Sequence, residues 1–172
     1  MRLFIAINFN NDTVDGLMSL RETLRKKSTR GNFTHRENMH LTLAFLGECD
    51  RNQISVVKSA MDSVSFEPIN ICIVRPGRFQ RPGGDIWWAG LEEDERLLKL
   101  QRNLTDRLTA EGFVFDRRKY SPHITLGREV VTEAAPWKIN PFGETSSGID
   151  LMKSERVDGK LTYTSIYGKC AK

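Results

Sequence analysis

Hydrophobic and polar positions along the chain alternate between short apolar runs and stripes at helical spacing. The opening run, "RLFIAINF", is apolar and β-rich and predicts a buried strand. Val14, Leu17, Met18, Leu20 and Leu24 then recur near every third or fourth position, which predicts a helix capped by Asn11 or Asp12. "RKKSTRGN" ends that helix in a turn containing Gly31, and "NMHLTLAFLG", Asn38 to Gly47, follows as a strand. In "RNQISVVKSAMDSV" the residues Ile54, Val57, Met61 and Val64 share one helical face. "INICIV" and "IWWAGL" are strands, separated by the loop "RPGRFQRPGGD". A third helix spans Glu93 to Glu111, with Leu97, Leu100, Leu104 and Leu108 on one stripe and Gly112 as its stop. "PHITLG" is a strand, "AAPWKINPFGE" a loop, and "GIDLMKSERVDGKLTYTSIYGK" a closing hairpin turning at Asp158-Gly159.

The order is therefore β-α-β-α-β-β-α-β and a hairpin, an α+β arrangement. In each half a helix and a loop lead into a strand that begins His-aliphatic-Thr-Leu. This echo suggests two similar lobes whose active strands face each other across a cleft, within a single domain of residues 1–172. At 172 residues, 39% hydrophobic and 28% charged, the chain lies in the ordinary globular range and can bury a substantial core. A net charge of +4 is compatible with anionic small molecules or nucleic acid without requiring either. Cys49, Cys72 and Cys170 have no spacing suited to zinc or to a disulfide framework, and read as reduced thiols. The first apolar run is too short for a signal peptide and no run is long enough to span a membrane. A cytoplasmic, monomeric protein is the expectation.

The candidate chemistry lies in the two copies of the His-aliphatic-Thr-Leu pattern. They hold two of the three histidines, His40 and His123. On an ideal strand His40, Thr42 and Ala44 share one face and Leu41, Leu43 and Phe45 the other; His123, Thr125 and Gly127 oppose Ile124 and Leu126 in the same way. The small Ala44 and Gly127 are then expected to keep a groove open, while Phe45 supports the core. Imidazole titrates near neutrality, so one member of a facing pair can accept a proton while the other donates one. The threonine hydroxyls can donate to the non-bridging oxygens of a phosphate held between them. In-line phosphodiester transfer fits this set without a metal.

With these residues in view, the chain resembles the two-histidine (2H) phosphoesterase superfamily, specifically the RNA 2′,3′-cyclic phosphodiesterase family, also called 2′-5′ RNA ligases (LigT/ThpR-like). The likeness runs through "RLFIAI", "ENMHLTLAFLG", "GRF" before "IWWAGL", "PHITLGR", and the ending Leu151, Ser154, Gly159, Tyr163. It implies a bilobal α+β fold with a pseudo-two-fold axis, antiparallel sheets flanked by helices, and an active-site cleft between the lobes. The implied reaction opens 2′,3′-cyclic phosphates at RNA ends to 2′-phosphates, with reversible 2′-5′ ligation and with no cofactor. His40 is the implied proton donor and His123 the proton acceptor. Thr42, Thr125 and Arg128 are implied to bind the phosphate. Ideal alternation, however, puts Arg128 on the face opposite His123, which a strand end, a bulge or a long side chain curling over the rim would reconcile. Other readings are action on another cyclic nucleotide or an ADP-ribose cyclic phosphate, or a non-catalytic RNA- or nucleotide-binding module.

Phe79 is placed to stack on a base or to pack. Trp87 and Trp88 fall on opposite faces, so at most one reaches the cleft. "DRRKY", Asp116 to Tyr120, could steer RNA phosphates or form a plain charged loop. His35 reads as a solvated loop residue, and nothing near Ser154 marks it as a nucleophile.

Overall fold

The computed structural model describes residues 1–116 and 118–172. In chain order the elements are β1 (Arg2–Ile7), α1 (Asn11–Lys26), β2 (Ser28–Phe33), a single 3-10 turn (Arg36–Asn38), β3 (Leu41–Glu48) and α2 (Arg51–Ser63). There follow β4 (Ile69–Phe79), β5 (Asp85–Leu91), α3 (Glu95–Ala110), β6 (His123–Thr132), β7 (Phe142–Ser146), β8 (Gly148–Val157) and β9 (Lys160–Cys170). The strands form two antiparallel sheets, one ordered β3-β1-β8-β9 and the other β2-β6-β5-β4-β7. The sheets approach each other where β3 meets β6, the two strands that follow the histidines.

Helices α1 and α3 each cross from the strand they leave to pack on the other sheet. Helix α1 leaves β1 of the four-stranded sheet and packs on β2, β6 and β7, whereas α3 leaves β5 of the five-stranded sheet and packs on β3 and α2. Their apolar stripes are the predicted ones: Val14, Leu17, Leu20 and Leu24 on α1, and Leu97, Leu100, Leu104 and Leu108 on α3, all buried. Burying one such side chain contributes roughly 1.5–3 kcal/mol, so these stripes hold the helices to the sheets. With Leu3, Ile5, Ile7, Ile71, Ile73, Trp87 and Ile124 they form one continuous core.

Local chemistry sets the element ends. The cap of α1 is Asn10, whose side chain accepts from Thr13 N, one residue before the predicted Asn11 and two before Asp12. Asp50 and Gln53 form a reciprocal capping box on α2. Asp158 (φ 52) and Gly159 (φ 77) both have positive φ, as a two-residue hairpin turn of this hand requires.

Three segments read as loop or turn belong to strands. The predicted turn around Gly31 lies within β2, a polar edge strand held by pairing with β6. The predicted loop from Arg75 is instead the second half of β4, with Pro76 opposite Ala89 and Gly77 opposite Trp88. The end of the predicted loop "AAPWKINPFGE" is β7, an edge strand on β4. In each case backbone pairing overrides a composition rich in polar residues, Gly or Pro.

Candidate active site

His40 and His123 are held by the same local device. His40 Nδ1 is 2.7 Å from the carbonyl of Asn38, and His123 Nδ1 is 2.8 Å from the carbonyl of Ser121. A carbonyl only accepts, so Nδ1 carries the proton in both rings and Nε2 becomes the working nitrogen. Asn38 is itself buried and donates Nδ2–H to Leu161 O at 3.0 Å, which ties the first histidine's support to the closing hairpin. His40 immediately precedes β3 and His123 opens β6.

The strands after them share an irregularity that ideal alternation misses. Ile5 pairs with Ala44 and Ala6 with Thr42, so Leu43 is an extra residue in β3. Trp87 pairs with Gly127 and Trp88 with Thr125, so Leu126 is an extra residue in β6. Both bulges fall on the leucine of His-aliphatic-Thr-Leu, and each reverses the facing of the residues that follow it up to the next register shift, at Leu46 in β3 and between Gly127 and Val130 in β6. Ala44 is therefore buried in the main core rather than lining a groove. A Cβ on Gly127 would meet Val130 Cγ2 at 3.0 Å and Phe33 Cδ1 at 3.1 Å, so that glycine accommodates close packing under β2 instead of opening the cleft. Phe45, expected as core support, is 50% exposed and lies opposite Phe4. Arg128 is brought onto the His123 face, and its charge acts on His40, His123 and Tyr163 alike.

Thr42 Oγ1 stands 2.9 Å from His40 Nε2. Thr125 lies two residues beyond His123, half-buried, on a backbone whose carbonyl accepts from Thr34 Oγ1 at 2.9 Å. Tyr120 spans the two sheets, donating its hydroxyl to Thr42 O at 2.7 Å; burial pushes that phenol above its ordinary range.

Each imidazole is walled by aromatic rings. Phe4 and Tyr163 lie 4.9 and 5.2 Å from His40, the tyrosine edge-on. Phe79 lies 5.2 Å from His123, also edge-on, and Trp88 lies 6.4 Å away. Trp88 is thus the cleft member of its pair and Trp87 the core member. The ring of Trp88 rests over Gly77 and Gly90, where a Cβ would approach it to 2.2 and 2.9 Å. Phe4 is a site residue that sequence reasoning did not single out, while Tyr163 entered there only as part of the family-like ending and Trp88 only as one of two tryptophans of which at most one reaches the cleft. Their places beside the imidazoles follow from the register of β1, β5 and β9.

Desolvation by these walls lowers both histidine pKa values, with the Asn38 and Ser121 carbonyls opposing and Arg128 reinforcing the shift. His123 adds a further downward push on His40. The shift favours the neutral form of both rings and makes each, once protonated, a stronger acid than an ordinary imidazolium. His35 is exposed and outside the site. Of the "DRRKY" stretch, Arg118 is paired to Asp116, and Arg117 lies outside the described residues. Among the described residues no group of three or more His, Cys, Asp or Glu could hold a metal ion, and no helix is long and apolar enough to cross a membrane.

The chain is similar to known proteins in sequence and in fold. A relative from Thermotoga maritima named RNA 2′,3′-cyclic phosphodiesterase is 36% identical over 131 residues, covering 74% of this chain and 70% of its own. One of the same name from Archaeoglobus fulgidus is 28% identical over 151 residues, covering 84% and 85%. The crystal structure of E. coli LigT complexed with 3′-AMP superposes with a TM-score of 0.83 at 22% identity, covering 99% of this chain and 96% of that one. A family profile described as the 2′-5′ RNA ligase superfamily matches residues 14–146. On that match and the Thermotoga identity, the chain belongs to the 2′-5′ RNA ligase superfamily.

Proposed function

We propose that this enzyme opens 2′,3′-cyclic phosphates at RNA ends to 2′-phosphates, using His40 and His123 as acid and base. One observation carries the reading: two imidazoles from different sheets have Nδ1 fixed on a carbonyl, a threonine two positions on, and Arg128 acting on both. The curated relatives named RNA 2′,3′-cyclic phosphodiesterase, at 28–36% identity over most of the chain, supply the substrate class.

The family likeness assigns His40 as donor and His123 as acceptor, and the paired geometry of the two rings supports an acid–base exchange between them. His123 Nε2 takes a proton from water as its oxygen forms a bond to phosphorus. The bond from phosphorus to the 3′ oxygen breaks, and protonated His40 Nε2 delivers its proton to that leaving oxygen. The product carries a 2′-phosphate and a free 3′-hydroxyl, and the two histidines have exchanged protonation states. Thr42 and Thr125 donate to the non-bridging oxygens, and Arg128 balances the charge that builds there. The depressed pKa of His40 makes its protonated form a stronger acid toward the alkoxide. Ligation of a cyclic phosphate end to a 5′-hydroxyl follows the same path with that hydroxyl in place of water, and cleavage of the resulting 2′-5′ linkage is the path reversed, with the roles of the histidines exchanged. The partner is an RNA end or nucleotide bearing a 2′,3′-cyclic phosphate.

The test is incubation with 2′,3′-cyclic AMP and with a cyclic-phosphate oligonucleotide in EDTA, followed by identification of the phosphomonoester. A 2′-phosphate is expected. Well-folded protein that turns over neither substrate would sink the proposal, and a 3′-phosphate product would reverse the assigned leaving oxygen.

A further inference from the structure

Beyond Phe4 the four-stranded sheet carries a polar row that the reaction leaves unused. Glu48, Arg2, Ser154 and Tyr163 stand in register across β3, β1, β8 and β9. Strand β1 contains no extra residue, so Arg2 shares the face of Phe4 and Ala6, while Leu3, Ile5 and Ile7 enter the main core. The Arg2 guanidinium lies over the exposed Phe45 ring, 4.8 Å from its centroid. Among the described residues Arg2 makes no ion pair, and Glu48, its neighbour in the row, is engaged by the Met1 amino group at 3.1 Å. Ser154 sits between Arg2 and Tyr163, and Tyr163 meets His40 edge-on. Both Arg2 and Arg128 act electrostatically on the Tyr163 phenol.

A guanidinium stacked on an aromatic ring keeps its edge N–H groups free for a planar or tetrahedral anion. Next to it stand a hydroxyl and a phenol, and the Arg2 Cα lies about 7 Å along the strand from that of Phe4, which touches His40. That is the arrangement of a groove that follows a nucleic-acid backbone past a reacting end. We propose that Arg2, Ser154 and Tyr163, with Phe45, form a second phosphate subsite. It holds the internucleotide phosphodiester adjoining the terminal nucleotide, and it makes the enzyme prefer an RNA end over a mononucleotide. The proposal rests on the histidine pair being the site of the terminal phosphate.

The test measures binding of two product-like ligands by calorimetry, adenylyl-(3′→5′)-adenosine 2′-phosphate and adenosine 2′-phosphate, to wild type, Arg2→Gln and Arg2→Lys. Wild type is expected to bind the dinucleotide at least tenfold tighter, and Arg2→Gln to lose most of that ratio. The slope of log K against log salt for the dinucleotide should become shallower by about 0.7 in Arg2→Gln, as for one lost single-strand phosphate contact. Arg2→Lys should retain the slope, because the point charge survives. No dinucleotide preference in wild type, or equal weakening of both ligands by Arg2→Gln, would overturn the subsite. Intact dinucleotide preference without turnover of any cyclic phosphate would sink the hydrolase reading and leave the subsite standing.

Discussion

Tyr120 donates its hydroxyl to the Thr42 carbonyl at 2.7 Å, linking the segment that leads into His123 with the strand that follows His40. The bond is half-buried and ties the approach to β6 directly to the backbone of β3. Tyr120→Phe leaves the carbonyl short of a partner and should cost about 1–2 kcal/mol, seen as a lower urea midpoint at constant m. Turnover should fall with it, because the two halves of the site lose a fixed spacing. Full stability and unchanged kcat would show that packing alone sets the spacing.

Replacing either histidine should remove most turnover without unfolding the chain, since each ring hangs on a backbone carbonyl at the cleft rather than in the main core. His40→Ala and His123→Ala are each expected to lower kcat for 2′,3′-cyclic AMP by roughly 10²–10⁴. The double variant should be little worse than the weaker single one, because acid and base act as a unit. Multiplying losses in the double variant would mean that the rings act independently.

How much of this was legible in the sequence depends on which interactions decide each element. The three helices and the histidine strands were, because periodicity reports burial directly: Leu97, Leu100, Leu104 and Leu108 are all in the core. Strands β2 and β7 were not, because their residues are polar and half-exposed and only pairing to β6 and β4 makes them strands. The paired histidines and threonines were readable as a repeated pattern. The bulges at Leu43 and Leu126 were not, since alternation assumes one residue per partner, and that assumption misplaced Ala44, Phe45, Gly127 and Arg128 together. The aromatic walls come from strands far away in sequence and become visible only in the register.

The corrected places of Ala44 and Gly127 give a stability experiment. Ala44→Leu adds bulk to a filled core and should destabilise by about 1–3 kcal/mol. Gly127→Ala should also destabilise, because the new Cβ meets Asn32 O at 3.3 Å as well as Val130 and Phe33. In neither case should KM for 2′,3′-cyclic AMP rise as it would if these positions bordered the groove. A raised KM at unchanged urea midpoint would restore them to the cleft.

The pH behaviour follows from burial and from Arg128. Both histidines have pKa values below the ordinary 6.5 in the folded chain, desolvation being the largest cause. The unfolded chain therefore binds more protons as pH falls below about 6.5. Stability is fully present above that pH and declines below it, until the folded histidines also protonate. The same shift places the bell in kcat/KM, which reports the free enzyme, on the acid side of 6.5. Bound phosphate adds negative charge beside both rings and favours their protonated forms, so the bell in kcat should lie at higher pH than that in kcat/KM. Arg128→Gln removes a cation that depresses both rings. It should move the kcat/KM bell upward in pH while raising KM. Superimposable profiles for wild type and Arg128→Gln would mean that the guanidinium turns away from the histidines, and that the bulge at Leu126 does not deliver it to the phosphate.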